Sequence, residues 1–271
     1  MKAQTHDFLD GNGPVPSHIH TKGGGWVADT ANVYDSAYIG PDARVYGNAR
    51  VYGDARVFDN ARVYGDALVF GDARVHGNAQ VYGNAWVFDN ALVFGDARVS
   101  GNARVSGDAL VYGNARVSGN ARVFDNARVY GYALVFGDAR VHGNAQVHGN
   151  AWVFDNALVF GDARVYGDAL VSGDALVFGD ARVHGDAWVS GDVRVFGDAQ
   201  VNRGMYAYTP ISITRSDGYT FTLQSDGSIV AGCRDFTPDE AKAHWGDPEH
   251  YKHRESMAIV TALNAIAAER Q

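Results

Sequence analysis

The 271-residue sequence has one cysteine, Cys233. It therefore has no disulfide framework, and a reducing compartment fits. No run of about 18 apolar residues occurs, the length a membrane-spanning helix needs, so no membrane partner is expected. The opening stretch MKAQTHDFLDGNGPVPSHIH lacks an apolar run of signal-peptide length, and the expected location is the cytoplasm. Basic charge is in deficit, with 23 Lys and Arg against 31 Asp and Glu, a net charge of −8. Nucleic acid needs a concentrated basic surface, so no nucleic-acid partner is expected. Proline is scarce at 6 residues, whereas glycine reaches 33 and is spaced with a period.

Stepping by six from Val27 to Val201 meets valine at every position except Ile39. Two residues before each of these stands Gly25 or an alanine, Ala31 through Ala199, broken only by Val193. Three residues after each there is usually Asp or Asn, preceded by Gly, or by Asp in the four VFDN units that begin at Val57, Val87, Val123 and Val153. The unit A-x-V-x-G-[DN] alternates inward and outward as a short strand does, and Gly-Asp or Gly-Asn supplies a tight corner. Strand and corner at a fixed period predict a β-solenoid. A helix is excluded, because glycine at every sixth residue would cost about 1 kcal/mol each.

These units resemble the hexapeptide-repeat family of left-handed parallel β-helices. The resemblance implies triangular coils of three units, so residues 25–204 form about ten coils with Val and Ala inside. It also implies two enzymatic alternatives, acyltransferases and zinc carbonic anhydrases that build their sites between subunits of a trimer. Residues 1–24 are expected to cap the first coil. Residues 205–271 read as a small α+β module. Three strands lie in YAYTPISIT, YTFTL and SIVAG, a short helix starts at the Thr237-Pro238-Asp239-Glu240 capping box, and a second helix spans about 250–269. The stretch AGCRDFTPDEAKAHWG is similar to tails of solenoid proteins encoded by bacteriophages and prophages, which would make the chain virion-associated.

Catalytic residues are not expected. The transferases of the resembled family have a catalytic His and a loop that breaks the solenoid, and no loop interrupts this repeat. The solenoid histidines His76, His142, His148 and His184 are spaced too far apart on any one face to share a metal. His148 fills a slot that its duplicate gives to Tyr82: residues 55–99 recur as 121–165 with two differences, Asp66/Tyr132 and Tyr82/His148. That exchange reads as a tolerant surface slot. Cys233, His244, His250 and His253 match no metal spacing, and His18-x-His20 reads as part of the cap. No cofactor is expected. The solenoid arginines read as salt-bridged to flanking Asp. The seven successive corners Asp162, Asp168, Asp174, Asp180, Asp186, Asp192 and Asp198 leave an acidic DNA mimic as a further alternative.

The favoured reading is a non-enzymatic structural or protein-binding rod. Its candidate interface is the face carrying Tyr34, Tyr52, Phe70, Phe88, Phe124, Phe160, Phe178 and Phe196 after the inward valine, with Trp86 before it. Outward rings in one column exceed the apolar surface a monomer tolerates, so a homo-oligomer or a protein partner is expected to cover them.

Overall fold

A computed structural model of the chain describes residues 4–206, 211–232 and 234–269. From Trp26–Ala28 to Gln200–Val201, thirty short strands stack into three parallel sheets. Each strand pairs with the strand 18 residues away, as in Val27↔Val45, Val33↔Val51 and Ile39↔Val57. The protein is thus a parallel β-solenoid of about ten turns, in agreement with the period. The first face carries Val27, Val45 and onward to Val189. The second runs from Val33 to Val195, and the third from Ile39 to Val201.

The core is a column of Val and Ala that are almost all fully buried. Alanine follows each corner, where the chain turns inward and little room remains. Glycine follows the strand for two reasons, both evident at Gly95. Its φ is +70°, and a Cβ there would lie 3.0 Å from the Gly113 nitrogen in the next coil. The four VFDN aspartates occupy the same left-handed corner, with φ between 55° and 58° at Asp59, Asp89, Asp125 and Asp155. Each offsets the strain by accepting a hydrogen bond from the glycine N–H of the next coil, as Gly77 donates to Asp59 at 3.1 Å and Gly143 to Asp125 at 3.2 Å. The following corner residues form amide ladders, in which Asn84 donates to Asn102, Asn102 to Asn120 and Asn120 to Asp138 at 3.0–3.2 Å.

Both ends are covered by irregular additions. Residues 1–24 carry no period, yet they contain an antiparallel hairpin, Thr5–Asp7 with Pro14–Ile19, that extends the first face beyond Trp26–Ala28. Reversal of strand direction and a three-residue outer strand leave a poor template for further pairing. Phe8 from the hairpin loop is buried on Tyr46 at 4.9 Å. At the other end, the third face stops at Gln200–Val201, where a next coil would have supplied carbonyls. Side chains replace them. Gln200 N–H donates to the Thr222 hydroxyl and Asn202 N–H to the Gln224 side-chain oxygen, both at 3.3 Å, while the Gln224 amide donates to Gln200 O at 2.8 Å.

The C-terminal residues form a four-stranded antiparallel sheet and two helices, α1 (Pro238–Gly246) and α2 (His253–Glu269). The fourth strand, Arg234–Phe236, escapes the sequence pattern because only three residues pair. Part of the first expected strand, residues 207–210, lies outside the described residues. The capping box at Thr237 and Glu240 is present. The second helix begins at His253, three residues later than expected, after a turn in which Lys252 takes φ +55°. Its Val260 and Leu263 are fully buried against Phe221 and Trp245. Arg215, 7% exposed, ties the first turn to α2 by donating to Asp217 and Ser256 at 2.8 Å.

The corner geometry predicts opposite outcomes at one position. Gly95→Asp keeps the thermal midpoint close to that of the parent, since its carboxylate can accept from Gly113 as Asp59 does from Gly77. Gly95→Val has no such acceptor and a β-branched side chain at positive φ, and it lowers stability by about 2 kcal/mol or more, measured by thermal or chemical melting.

Candidate interaction face

The slot after each inward valine points outward, and successive occupants of one face lie one coil apart. Flat side chains in that slot therefore stack. On the second face, Tyr52, Phe70 and Phe88 stack with centroids 4.9 Å apart, and Tyr34 adds a tilted ring at 5.8 Å. After Ser106 the column resumes through Phe124, His142, Phe160, Phe178 and Phe196 at 4.6–5.5 Å. All the candidate rings that follow the valine thus fall in one column. The end rings Tyr34 and Phe196 are 56% and 50% exposed, whereas the interior rings are half-buried by their neighbours. Trp86 sits beside this column with the Arg104 guanidinium over its ring at 4.5 Å and the edge of Phe70 at 6.5 Å. A groove of about 570 Å3 runs between Arg50, Trp86 and Arg104 on one side and the amides of Asn84, Asn102 and Asn120 on the other.

The longest uninterrupted column is on the third face, and counting only Phe, Tyr and Trp missed it. Phe58, His76, Phe94, Tyr112, Tyr130, His148, Tyr166 and His184 stack without a gap at 4.7–5.1 Å. Both members of the Tyr82/His148 exchange stack, Tyr82 on Tyr64 at 4.9 Å and His148 between Tyr130 and Tyr166 at 4.7 and 5.1 Å, so the slot that tolerates the exchange keeps a ring in each copy. An 18-residue spacing shared by His with Phe and Tyr was the available signal. Burial in the stacks lowers the pKa of His76, His142, His148 and His184 below the ordinary value, with nearby arginines adding to the shift. Asp59 and Asp125 lie 3.7 Å from His76 and His142 and oppose that shift. On the first face, burial pushes the Tyr46 phenol up to about 12.

The arginines before the inward valines depart from expectation. Apart from Arg194, none of them pairs with a carboxylate among the described residues. Corner carboxylates instead accept Asn amides, as Asp162, Asp168 and Asp174 do from Asn144, Asn150 and Asn156 at 2.9–3.0 Å. Arg56 lies over Tyr38 and Phe58, at 5.2 and 5.6 Å. The seven corner aspartates divide among three edges of the rod.

Other sequence candidates have separate partners. His18 meets Asp29 at 2.9 Å, and buried His20 donates to Ala37 O at 3.1 Å. His244 and His250 pack edge to face at 4.9 Å, and His253 donates to Trp245 O at 2.7 Å. Cys233 lies outside the described residues. Among the described residues, no three His, Cys, Asp or Glu converge as a metal site, and no helix is long and apolar enough to cross a membrane.

Segments 43–59, 49–63, 55–69, 61–77, 79–95, 97–113, 109–124, 121–135 and 163–177 match the YdcK Beta solenoid repeat. The chain is a β-solenoid repeat protein with a six-residue period. Thirteen chains of solved structures match it. One, an Arabidopsis UDP-N-acetylglucosamine acyltransferase, is 11% identical with a TM-score of 0.39, and the match covers 87% of this chain and 94% of that one. No curated protein sequence matches significantly.

The stacked histidines make stability pH-dependent. Their folded-state pKa values lie below the unfolded value of about 6.5. The stability they contribute is therefore complete above that pH and is lost as pH falls through the folded values. Thermal midpoints should hold steady near pH 8 and fall as the pH drops below about 6.5. His148→Tyr, the occupant of the duplicate slot, should keep the stack and reduce that acid loss.

Proposed function

We propose that this chain is a structural rod that binds protein along its second face and works without a catalytic centre, metal or cofactor. The observation that carries this reading is the continuity of the ring column from Tyr34 to Phe196, interrupted only at Ser106. Stacking hides ring faces and leaves a strip of ring edges in water along the rod, which a protein partner would cover. The described repeats also follow one another without an inserted loop, so nothing there encloses an acyl donor as the transferase alternative requires. The DNA-mimic alternative loses ground because its carboxylates are split among three edges and several are engaged by Asn amides. A bacteriophage origin, with a virion-associated location, belongs to the same proposal and rests on the tail sequence alone.

Two measurements test it. Phe70, Phe88, Phe160 and Phe178 replaced together by Ser, as at Ser106, leave the Val/Ala core intact. That variant should still fold, with each lost stack costing about 0.5–1.5 kcal/mol. Partner crosslinks mapped by mass spectrometry in the native host should fall on the second face of the parent rod and vanish in the variant; unchanged crosslinks contradict the reading. Titration of the full chain with acetyl-coenzyme A should give no saturable binding heat, and a saturable isotherm would favour the transferase alternative.

A further inference from the structure

The slot before the inward valine changes character along the first face. After Trp26, which stacks on His6 of the N-terminal hairpin at 4.3 Å, its occupants are Arg44, Arg62, Gln80, Arg98 and Arg116 in the N-terminal half. From there on they are Leu134, Trp152, Leu170, Trp188 and Met205, each in register with the next. Unlike the ring columns, this stripe does not cover itself: Trp152, Trp188 and Met205 are 43%, 39% and 54% exposed. Tyr132, on the corner beside Leu134, is 65% exposed. These four account for a large share of the bulky apolar side chains that the described residues leave in water, and they lie within one half of one face.

The order of the stripe indicates what covers it. Read from either end, it alternates an aliphatic side chain with Trp about Leu170. On a two-fold axis residue i of one copy meets residue j of the other and j meets i, so a stripe that reads alike in both directions sets Trp against Trp and aliphatic against aliphatic side chain. We propose that this half-face is a self-association surface, and that its occupant is a second copy of the chain, antiparallel, on a two-fold axis at Leu170. This is independent of the second-face reading. The axis sets Trp152 against Trp188 of the partner subunit and Leu134 against the partner's Met205. In the adjoining column it sets Phe154 against the partner's Ser190, a large side chain opposite a small one. On the corner it sets Asn150 beside the partner's Asp186. Asp168, exposed on the same corner, meets its own copy, and that like-charge contact weakens the pair. Five coils make a short interface, which places the dimer in the weak, concentration-dependent class.

Sedimentation of the full chain over a wide concentration range tests the proposal. The expected result is a rise from monomer to dimer mass, absent from a Trp152→Ser/Trp188→Ser variant of unchanged melting temperature. Monomer mass at every concentration, or a variant that folds and still dimerises, overturns the proposal. Should that variant not fold, Asp168→Asn keeps a side-chain oxygen that can accept from Asn150 and removes only the charge at this exposed corner; it should tighten the dimer several-fold, and an unchanged or weaker dimer overturns the proposal. The axis is located by crosslinking in a Cys233→Ser background. Leu170→Cys should link to its own copy through a bismaleimide that spans facing sheets, about 10 Å apart. Leu134→Cys, about 19 Å from its copy along the rod at about 4.8 Å per coil, should not. The reverse pattern would refute the axis.

Discussion

Successive corners of the rod approach so closely that a Cβ on Gly95 would sit 3.0 Å from the Gly113 nitrogen. That contact leaves each coil little freedom to slide or turn against the next. Backbone bonds such as Phe94 N–H to Val111 O, at 3.0 Å, then fall into one register throughout. The ladders follow from it. Once residues 18 apart are fixed at strand spacing, valine meets valine inside, amide meets carboxylate at the corners and ring meets ring outside. Each ladder contact is weak, in the range of about 0.5–1.5 kcal/mol for stacked rings, but it recurs at almost every coil.

The internal duplication shows what this translational order permits. Phe58, His76 and Phe94 stack on the third face, while their copies Phe124, His142 and Phe160 stack on the second. The His-to-Asp approach of 3.7 Å is also reproduced, at His76 with Asp59 and at His142 with Asp125. A block copied at an offset of eleven hexapeptides, which is not a whole number of coils, rotates onto a new face and keeps its own stacks, because spacing inside the block is unchanged. A surface built this way lengthens without losing its axial contacts, whereas a reaction centre spread across one face would be broken up. The apolar stripe of the first face does not come from either copy alone: Leu134 and Trp152 lie within the second copy, and Leu170, Trp188 and Met205 lie beyond it.

The solenoid was legible in the sequence because one short rule, valine at every sixth residue with alanine and glycine at fixed offsets, dictates burial and corner geometry together. The second-face ring column was legible for the same reason, since Tyr34 through Phe196 recur at multiples of 18. What the sequence concealed depends on chemistry rather than spacing. Histidine behaves as a ring in the stacks of Tyr130, His148 and Tyr166, which a count restricted to Phe, Tyr and Trp does not register. The arginines were expected to meet the corner aspartates, but several of those carboxylates accept Asn amides from one coil away instead. The caps were expected at both ends, but how they bond was hidden, because they copy strand bonding with irregular means: a reversed hairpin at Pro14–Ile19 and the side chains of Thr222 and Gln224.

If axial register is what holds the rod together, one full coil should be removable. Deleting residues 100–117 joins Val99 to Ser118 in the same phase and brings Phe88 next to Phe124, closing the gap left by Ser106. Small-angle scattering and thermal melting of that protein give the most direct test. The account predicts a rod shorter by about 4.8 Å with a melting midpoint no lower than the parent's. An unfolded chain, or a rod of unchanged length, would contradict it.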